Sequence, residues 1–308
     1  MRIVHARSKV FAKDHAFENK FSVLVWILAL LKWKEFGHSL VLYTDEFVLN
    51  KIKEFKFEHL YDEINTSLLE DKDKTKYKNL DFYLYWAMPK LIALWYEKLE
   101  LNNDVVITDQ DVVPMQDWSR FWKSADVTVW SNKEFTEFKA TYPALFALST
   151  PENYIFPKWI RGEAKPLNTG VLHIRDPKVV KFYLEAAFGI ALNNKNTKNN
   201  TNCQTMCNAE QRFLGEVISY KRLSYNTIQP IDKGLFNKNG FHTHGYKAFI
   251  LNKNGLQWHL NLLLMIKKLD EKMFESLLNH PKFKEEKNYF KENGYTCEVV
   301  SELQQYLK

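Results

Sequence analysis

The chain has 308 residues but only 3 cysteines, 10 glycines and 9 prolines. So few cysteines exclude a disulfide framework. Cys203 and Cys207 stand in a polar stretch at a spacing that fits neither a zinc site nor a redox pair, and Cys297 is isolated. All three read as incidental thiols. Scarce glycine and proline argue against a loop-rich or repeat architecture, and no internal repeat is visible. Arginine is sparse beside lysine, and no arginine stripe marks a nucleic-acid surface, so no nucleic-acid partner is expected. The opening Met1-Arg2-Ile3-Val4-His5 lacks a basic region ahead of an apolar one, so no secretory signal is read. The apolar run Phe21–Leu31 falls well short of the ~20 residues that span a bilayer. A cytoplasmic protein is the expectation. Also missing is a glycine-rich loop after the first strand, where His5-Ala6-Arg7-Ser8-Lys9 stands. That weighs against a nucleotidyltransferase, which would cradle phosphates there.

What is present supports a sizeable core: 45% of residues are hydrophobic and 15% aromatic. A net charge of +6 attracts phosphates, anionic lipid or acidic glycans. Arg2–Ala6 reads as a first strand and Phe21–Trp33 as a helix apolar on most faces, closed by Gly37. His38–Thr44 is a second strand, Glu46–Phe55 a short helix and Leu60–Ile64 a weak third strand. Lys72–Lys78 is a charged loop. Phe82–Leu99 has the strongest helical spacing, with Pro89 expected to bend it. A strand ending at Asp109 and another at Asp126–Trp130, led into by Phe121–Lys123, complete a βαβαβ alternation. That pattern implies an α/β fold with a mainly parallel central sheet flanked by helices.

Residues 131–165 are irregular and aromatic, including Phe135, Phe138, Tyr142, Phe146, Tyr154, Phe156 and Trp159. Beyond them come a strand at Asn168–Ile174, a helix at Val179–Leu192 and a polar, disordered tip at Asn193–Asn202. A helix at Ala209–Ser219 and a short strand within Gly240–Leu251 follow. From Leu256 the pattern is helical to the end. The expected division is a catalytic part, 1–250, and a helical C-terminal extension, 251–308.

The most informative stretch is Asp104-Val105-Val106-Ile107-Thr108-Asp109-Gln110-Asp111-Val112-Val113-Pro114. Its β-branched run reads as a buried parallel strand, ending on two carboxylates two residues apart, with Pro114 expected to stop the pairing. Ligands of open α/β sheets bind beyond the carboxyl ends of the strands. Paired carboxylates there suit a hard divalent cation that also takes phosphate oxygens. Taken singly, Asp109 and Asp111 equally well begin a turn.

Three further pieces follow in order: Asn168-Thr169-Gly170-Val171, Glu210-Gln211, and Phe241-His242-Thr243-His244-Gly245-Tyr246-Lys247. Together with Asp109-Gln110-Asp111 they resemble GT-A-fold glycosyltransferases, most nearly the retaining family-8 type to which glycogenin and bacterial galactosyltransferases belong. The resemblance covers about residues 1–250. It implies that Asp109 and Asp111 bind Mn²⁺ (or Mg²⁺), with Asp109 also near the donor ribose. It implies that Asn168, Thr169 and Gly170 bind the donor, with Asn168 facing the donor sugar or the acceptor. It also implies that Glu210 and Gln211 contact donor-sugar hydroxyls near the anomeric carbon as catalytic residues. A histidine would complete the metal shell, and Gly245 and Lys247 would serve the diphosphate. His242 has the family's His-x-x-Gly spacing, but His244 lies on the same strand face, so the choice stays open. Lys247 stands one residue nearer to Gly245 than the family pattern has it, Glu210 replaces an Asp, and Arg212 stands where another acid is common. Trp86 and Lys90 resemble an aromatic-Lys feature of such enzymes.

The implied reaction moves a sugar from a nucleotide-diphosphate donor, UDP-sugar above all, to a glycan or lipid-linked acceptor, with retention. A nucleotidyltransferase and a non-catalytic sugar- or nucleotide-binding module are the alternatives. The C-terminal segment Leu256–Met265, apolar and followed by Lys267 and Lys268, can dock on the protein itself, form a dimer seam or touch the inner membrane face.

Overall fold

The computed structural model describes residues 1–8, 17, 19–70, 87–132, 157–161, 164–193, 208–231, 236–243 and 247–307. A seven-stranded sheet runs in the order β3-β2-β1-β4-β7-β6-β8. Its strands are β1 (Arg2–Ala6), β2 (Ser39–Tyr43), β3 (Glu63–Asn65), β4 (Val105–Thr108), β6 (Val127–Asn132), β7 (Leu167–Ile174) and β8 (Tyr225–Ile231). β1, β2, β3 and β4 are mutually parallel, and β6 pairs parallel with β8. β7 alone runs against its neighbours β4 and β6. A small antiparallel sheet joins β5 (Val112–Pro114), β9 (Phe236–Asn237) and β10 (Gly240–His242).

Burial explains the near-continuous apolar strands. In β1, Ile3 faces one core and Val4 the other, so both sheet faces are covered. One core holds the helix α1 (Lys20–Glu35), whose Asn19 carboxamide accepts the Phe21 N–H at 2.9 Å as an N-cap. α1 ends where Gly37 takes φ +74°, a left-handed turn that leads into β2. α2 (Glu46–Glu54) is capped by Asp45. The other core lies against α4 (Met88–Trp95), α6 (Pro177–Asn193) and α7 (Phe213–Lys221), the intervening helices being α3 (Ser67–Glu70) and α5 (Ser119–Lys123). The α/β class, the mainly parallel sheet and the flanking helices make the GT-A-like architecture that the sequence implies.

The C-terminal helices α8 (Lys247–Leu269), α9 (Glu271–Asn279), α10 (Lys284–Asn293) and α11 (Gln304–Leu307) follow the small sheet. α8 starts earlier than its periodicity suggests. Leu260, Leu262, Leu263 and Ile266 are wholly buried in the core that also holds α1 residues Trp26 and Leu28. Each such burial contributes about 1.5–3 kcal/mol, which fastens the C-terminal part to α1. Among the described residues no helix is long and apolar enough to cross a membrane.

Several expectations change. Pro89 does not bend a helix; it occupies the first turn of α4, where its missing N–H costs nothing. Residues 82–86 of the expected helix, with Tyr83, Tyr85 and Trp86, lie outside the described residues, as do 72–78 and 194–202. Of the aromatic stretch only Trp159 among the residues named is described, stacked on Tyr220 at 5.0 Å. The weak third strand forms at Glu63–Asn65, after a 3₁₀ turn over Glu58–Leu60. Phe121–Lys123 is helical within α5. Pro114 does not stop pairing: it closes β5 opposite Gly240, tolerated because β5 is an edge strand.

Candidate functional site

The peptide of Asp109-Gln110-Asp111 is a turn between two strands of different sheets. β4 carries the chain out of the large sheet and β5 takes it into the small one. Gln110 anchors the turn by donating from Nε2 to the Ala6 carbonyl at the end of β1, at 3.0 Å. β10 returns antiparallel on β5 with His242 opposite Val112, which carries the imidazole back over the turn. Ligand atoms of Asp109, Asp111 and His242 thereby lie within 4.8 Å of one another. His242 Nε2 is 3.6 Å from Asp109 Oδ2 and 3.4 Å from Asp111 Oδ1. Thr243 Oγ1 donates to Asp111 Oδ2 at 3.2 Å and steadies that carboxylate.

The reversed direction of β7 brings the Asn168-Thr169-Gly170 segment to the same place. Because β7 runs against β4, its start lies beside the end of β4, and the Asp109 N–H donates to the Gly170 carbonyl at 2.8 Å. A bulge sits here: Val129 of β6 faces Leu172, but Ser131 faces Asn168, so Thr169–Val171 oppose the single residue Trp130. Asn168 Oδ1 accepts the Gly170 N–H at 2.9 Å, which holds the bulge. Gly170 is required by contact. A Cβ there would stand 2.5 Å from His242 Cε1 and 2.8 Å from Nδ1.

Lys90 of α4 ties the pieces together. Its Nζ lies 2.8 Å from Asp109 Oδ1 and 2.6 Å from Glu210 Oε1, and donates to the Thr169 carbonyl at 3.3 Å. Burial works against its ammonium, but Asp109 and Glu210 outweigh it and raise its pKa above the usual lysine range. Glu210, 1% exposed, is pushed up by burial; Lys90 opposes that and Asp109 adds to it. Glu210 and Gln211 lie in a π-helical turn, Asn208–Arg212, which precedes α7. Such turns break regular spacing and gather at functional sites. The Tyr183 hydroxyl donates to the Glu210 carbonyl at 2.7 Å and pins the turn to α6.

The structure therefore gathers Asp109, Asp111, His242, Asn168, Thr169, Gly170 and Glu210 in one locale, with buried Gln211 next along the turn. His244 and Gly245 lie outside the described residues. Lys247 opens α8, and its side chain is not described. The sequence weighed Lys90 only as a faint likeness, although a lone lysine in the apolar run of Met88–Trp95 was a usable signal. Trp130 and Thr243 carried no signal.

The donor set fits a divalent cation. Two carboxylates and an imidazole converge from two sheets, and a neutral imidazole completes a shell without adding charge. Among the described residues, the Lys90 ammonium is shared between Asp109 and Glu210, and Asp111 stands beyond it.

A search of curated proteins found no match. Among solved structures, the galactosyltransferase LgtC, in complex with donor and acceptor sugar analogs, is similar at a TM-score of 0.37 and 10% identity, over 77% of this chain and 75% of that one. The PaToxG glycosyltransferase gives 0.38 and 11%, over 91% and 83%. Residues 1–349 of S. aureus TarS give 0.31 and 12%, over 100% and 78%. Likenesses this distant transfer no residue role. A family model of nucleotide-diphospho-sugar transferases matches residues 35–257. That span is well over half of the chain, and the protein belongs to the nucleotide-diphospho-sugar transferase family as a glycosyltransferase.

Proposed function

We propose that the protein is a metal-dependent glycosyltransferase that moves a sugar from a UDP-sugar to a glycan or lipid-linked acceptor with retention. The convergence of Asp109, Asp111 and His242 carries this reading. In it, these three residues hold Mn²⁺ or Mg²⁺, and His242 rather than His244 is the imidazole ligand. When bound, the cation supplies Lewis-acid stabilisation of the charge that develops on the leaving diphosphate.

The chain's own residues do the rest. Lys90 pairs with Asp109 and holds its carboxylate at the site. Asn168, Thr169 and Gly170 shape the wall against the donor sugar. Glu210 and Gln211 face its anomeric carbon, where a carboxylate and an amide oxygen stabilise positive charge on the ring. Gly245 and Lys247 serve the diphosphate, the latter as a point charge. Residues 1–250 carry the transfer and 251–308 brace it. Because the apolar residues of α8 are spent on α1, contact with an anionic inner membrane face falls to lysines such as Lys284 and Lys291, and is electrostatic.

The test is a thermal-shift panel of UDP- and GDP-sugars with and without Mn²⁺, followed by slow donor hydrolysis and the anomeric configuration of the product. Stabilisation by one UDP-sugar only when Mn²⁺ is present supports the reading. A protein that no nucleotide sugar stabilises, with or without metal, sinks it.

A further inference from the structure

The His242 imidazole is held from two sides by groups that carry no charge. On one side Trp130 stands edge to face with it, 5.7 Å between ring centroids and 86° between planes. On another the backbone of Gly170 lies so close that a Cβ would meet Cε1 at 2.5 Å. Both positions lie at the bulge where Thr169–Val171 oppose Trp130. The extra residues lie on β7 while Trp130 keeps regular register with β8, so the bulge brings the Gly170 backbone up to the same ring that the indole faces. Trp130 has no freedom to swing away. It is wholly buried against Trp118 at 5.9 Å, and Trp118 packs on Trp33 at 5.1 Å and Trp122 at 6.3 Å. The ring beside His242 thus inherits the rigidity of a close-packed core.

We propose that Trp130, acting with Gly170, is a positioning residue that fixes the His242 ring and thereby tunes the site toward Mn²⁺ over Mg²⁺. This rests on the reading that Asp109, Asp111 and His242 hold the cation. A loose imidazole must be ordered when metal binds, whereas one already confined presents its nitrogen without that cost. Mg²⁺ takes oxygen ligands and keeps several waters, so it gains little from a fixed nitrogen. Mn²⁺ also favours oxygen ligands, but as a first-row transition ion it binds a mixed nitrogen and oxygen site more readily than Mg²⁺ does. Its affinity is therefore the one that depends more on the ring's orientation. Supporting groups around metal ligands change affinity by about 10–100-fold when removed.

The experiment titrates the full chain, stripped of metal, with Mn²⁺ followed by the electron-spin signal of the free ion, and with Mg²⁺ by competition. Trp130→Leu is expected to weaken Mn²⁺ about tenfold and Mg²⁺ about twofold or less. Trp130→Phe, which keeps a ring edge, is expected to stay within about threefold of the native affinity. Gly170→Ala, which pushes the imidazole directly, is expected to match Trp130→Leu and decides the matter if the leucine variant does not fold. Asp111→Ala is the reference for the metal site itself. If it loses Mn²⁺ while Trp130→Leu and Gly170→Ala bind both ions as the native chain does, or lose both in parallel, the positioning role is overturned and the metal site stands. Equal losses in Trp130→Leu and Trp130→Phe also overturn it. If Asp111→Ala binds Mn²⁺ as tightly as the native chain, the metal site itself is refuted and the positioning role with it.

Discussion

Glu97 and Glu210 are both buried, and both sit in π-helical turns, Tyr96–Glu100 and Asn208–Arg212. In each a cation is shared with a second acid, but the second acid differs. Glu97 receives the Arg2 Nε–H at 2.9 and 3.0 Å, the Tyr43 hydroxyl at 2.8 Å and the Asn103 amide at 2.7 Å, so each carboxylate oxygen has its donors. Arg2 also reaches Glu63 at 2.7 Å, and its charged form is favoured despite burial. Among the described residues around Glu210, the second acid on the shared cation is not an exposed one like Glu63 but Asp109, which stands beside Asp111 and His242. Burial raises Glu210, and the nearest counter-charge, Lys90, is shared with Asp109. A π-turn therefore does not mark function by itself. What separates the site from the brace is that Lys90 links Glu210 to a carboxylate of the Asp109-Asp111-His242 group, and a site that gathers carboxylates suits something positive.

The largest expected effect breaks that contrast at its acid end. Asp111→Asn should lower transfer about 10³-fold and remove Mn²⁺-dependent donor binding, because a neutral amide cannot replace a carboxylate ligand. Its metal-free melting temperature should stay within a few degrees, since Asp111 lies in a turn outside both cores. A variant that turns over at the native rate ends the metal assignment.

Lys90 and Glu97 sharpen the contrast from the other side. Lys90→Met leaves Asp109 and Glu210 facing each other with no ammonium between them. Removing one partner of a buried pair costs about 3–5 kcal/mol, and here the Mn²⁺ requirement should change as well. Glu97→Gln takes away one of the two carboxylates that Arg2 reaches and leaves it Glu63, so it should lower stability by about 1–3 kcal/mol, yet leave Mn²⁺ affinity untouched. Denaturant unfolding beside metal titration reads both. If Glu97→Gln alters metal binding, the two clusters are coupled and the distinction fails.

Much of this was legible in the sequence, for physical reasons. Strands buried on both faces are largely apolar, so β2 and β4 announce themselves, and β1 and β7 do so through their apolar parts. Asp109 and Asp111 stood out because paired carboxylates at the end of such a run need a reason to be there, whereas the histidine came from the family resemblance alone, with His242 and His244 both open. The rest was hidden by long-range geometry. β8 is polar and interrupted by Pro230, and the sequence reading passed over it. β5 is three residues long and forms only because β10 returns to it. The bulge in β7 depends on register between strands far apart in sequence, so nothing local signalled Trp130. Lys90 looked like an ordinary helical lysine until α4 was packed beneath Asp109.

A smaller effect separates the two histidines. His242→Ala should raise the Mn²⁺ needed for half-maximal donor binding about tenfold, while His244→Ala stays within about twofold. The reverse outcome would move the ligand assignment to His244.

The smallest effect concerns His5, at the carboxyl end of β1 and fully buried. Its Nδ1 lies 2.9 Å from the Tyr61 hydroxyl, which also accepts the Trp26 indole N–H at 2.7 Å. With that oxygen already accepting, the Tyr61 proton is free to point at Nδ1, which keeps the imidazole neutral and places its own hydrogen on Nε2. Burial lowers its pKa to about 4 from 6.5, although Asp109 and Asp111 pull the other way. The folded value lies below the unfolded one, so the unfolded chain binds the extra proton first. Stability is then full above pH 6.5 and falls as the pH drops toward 4. At pH 5.5 the loss attributable to His5 is about 1 kcal/mol relative to pH 7.5. His38, His173 and His280 are lowered too, burial first, so the native slope mixes several groups. His5→Gln isolates one of them, since the amide can still accept from Tyr61 and cannot titrate. Its metal-free stability between pH 7.5 and 5.5 should fall less than that of the native chain by about that 1 kcal/mol. Identical slopes would mean that His5 gains its proton in the folded chain as readily as in the unfolded one, and that the pull of Asp109 and Asp111 offsets the burial of its ring.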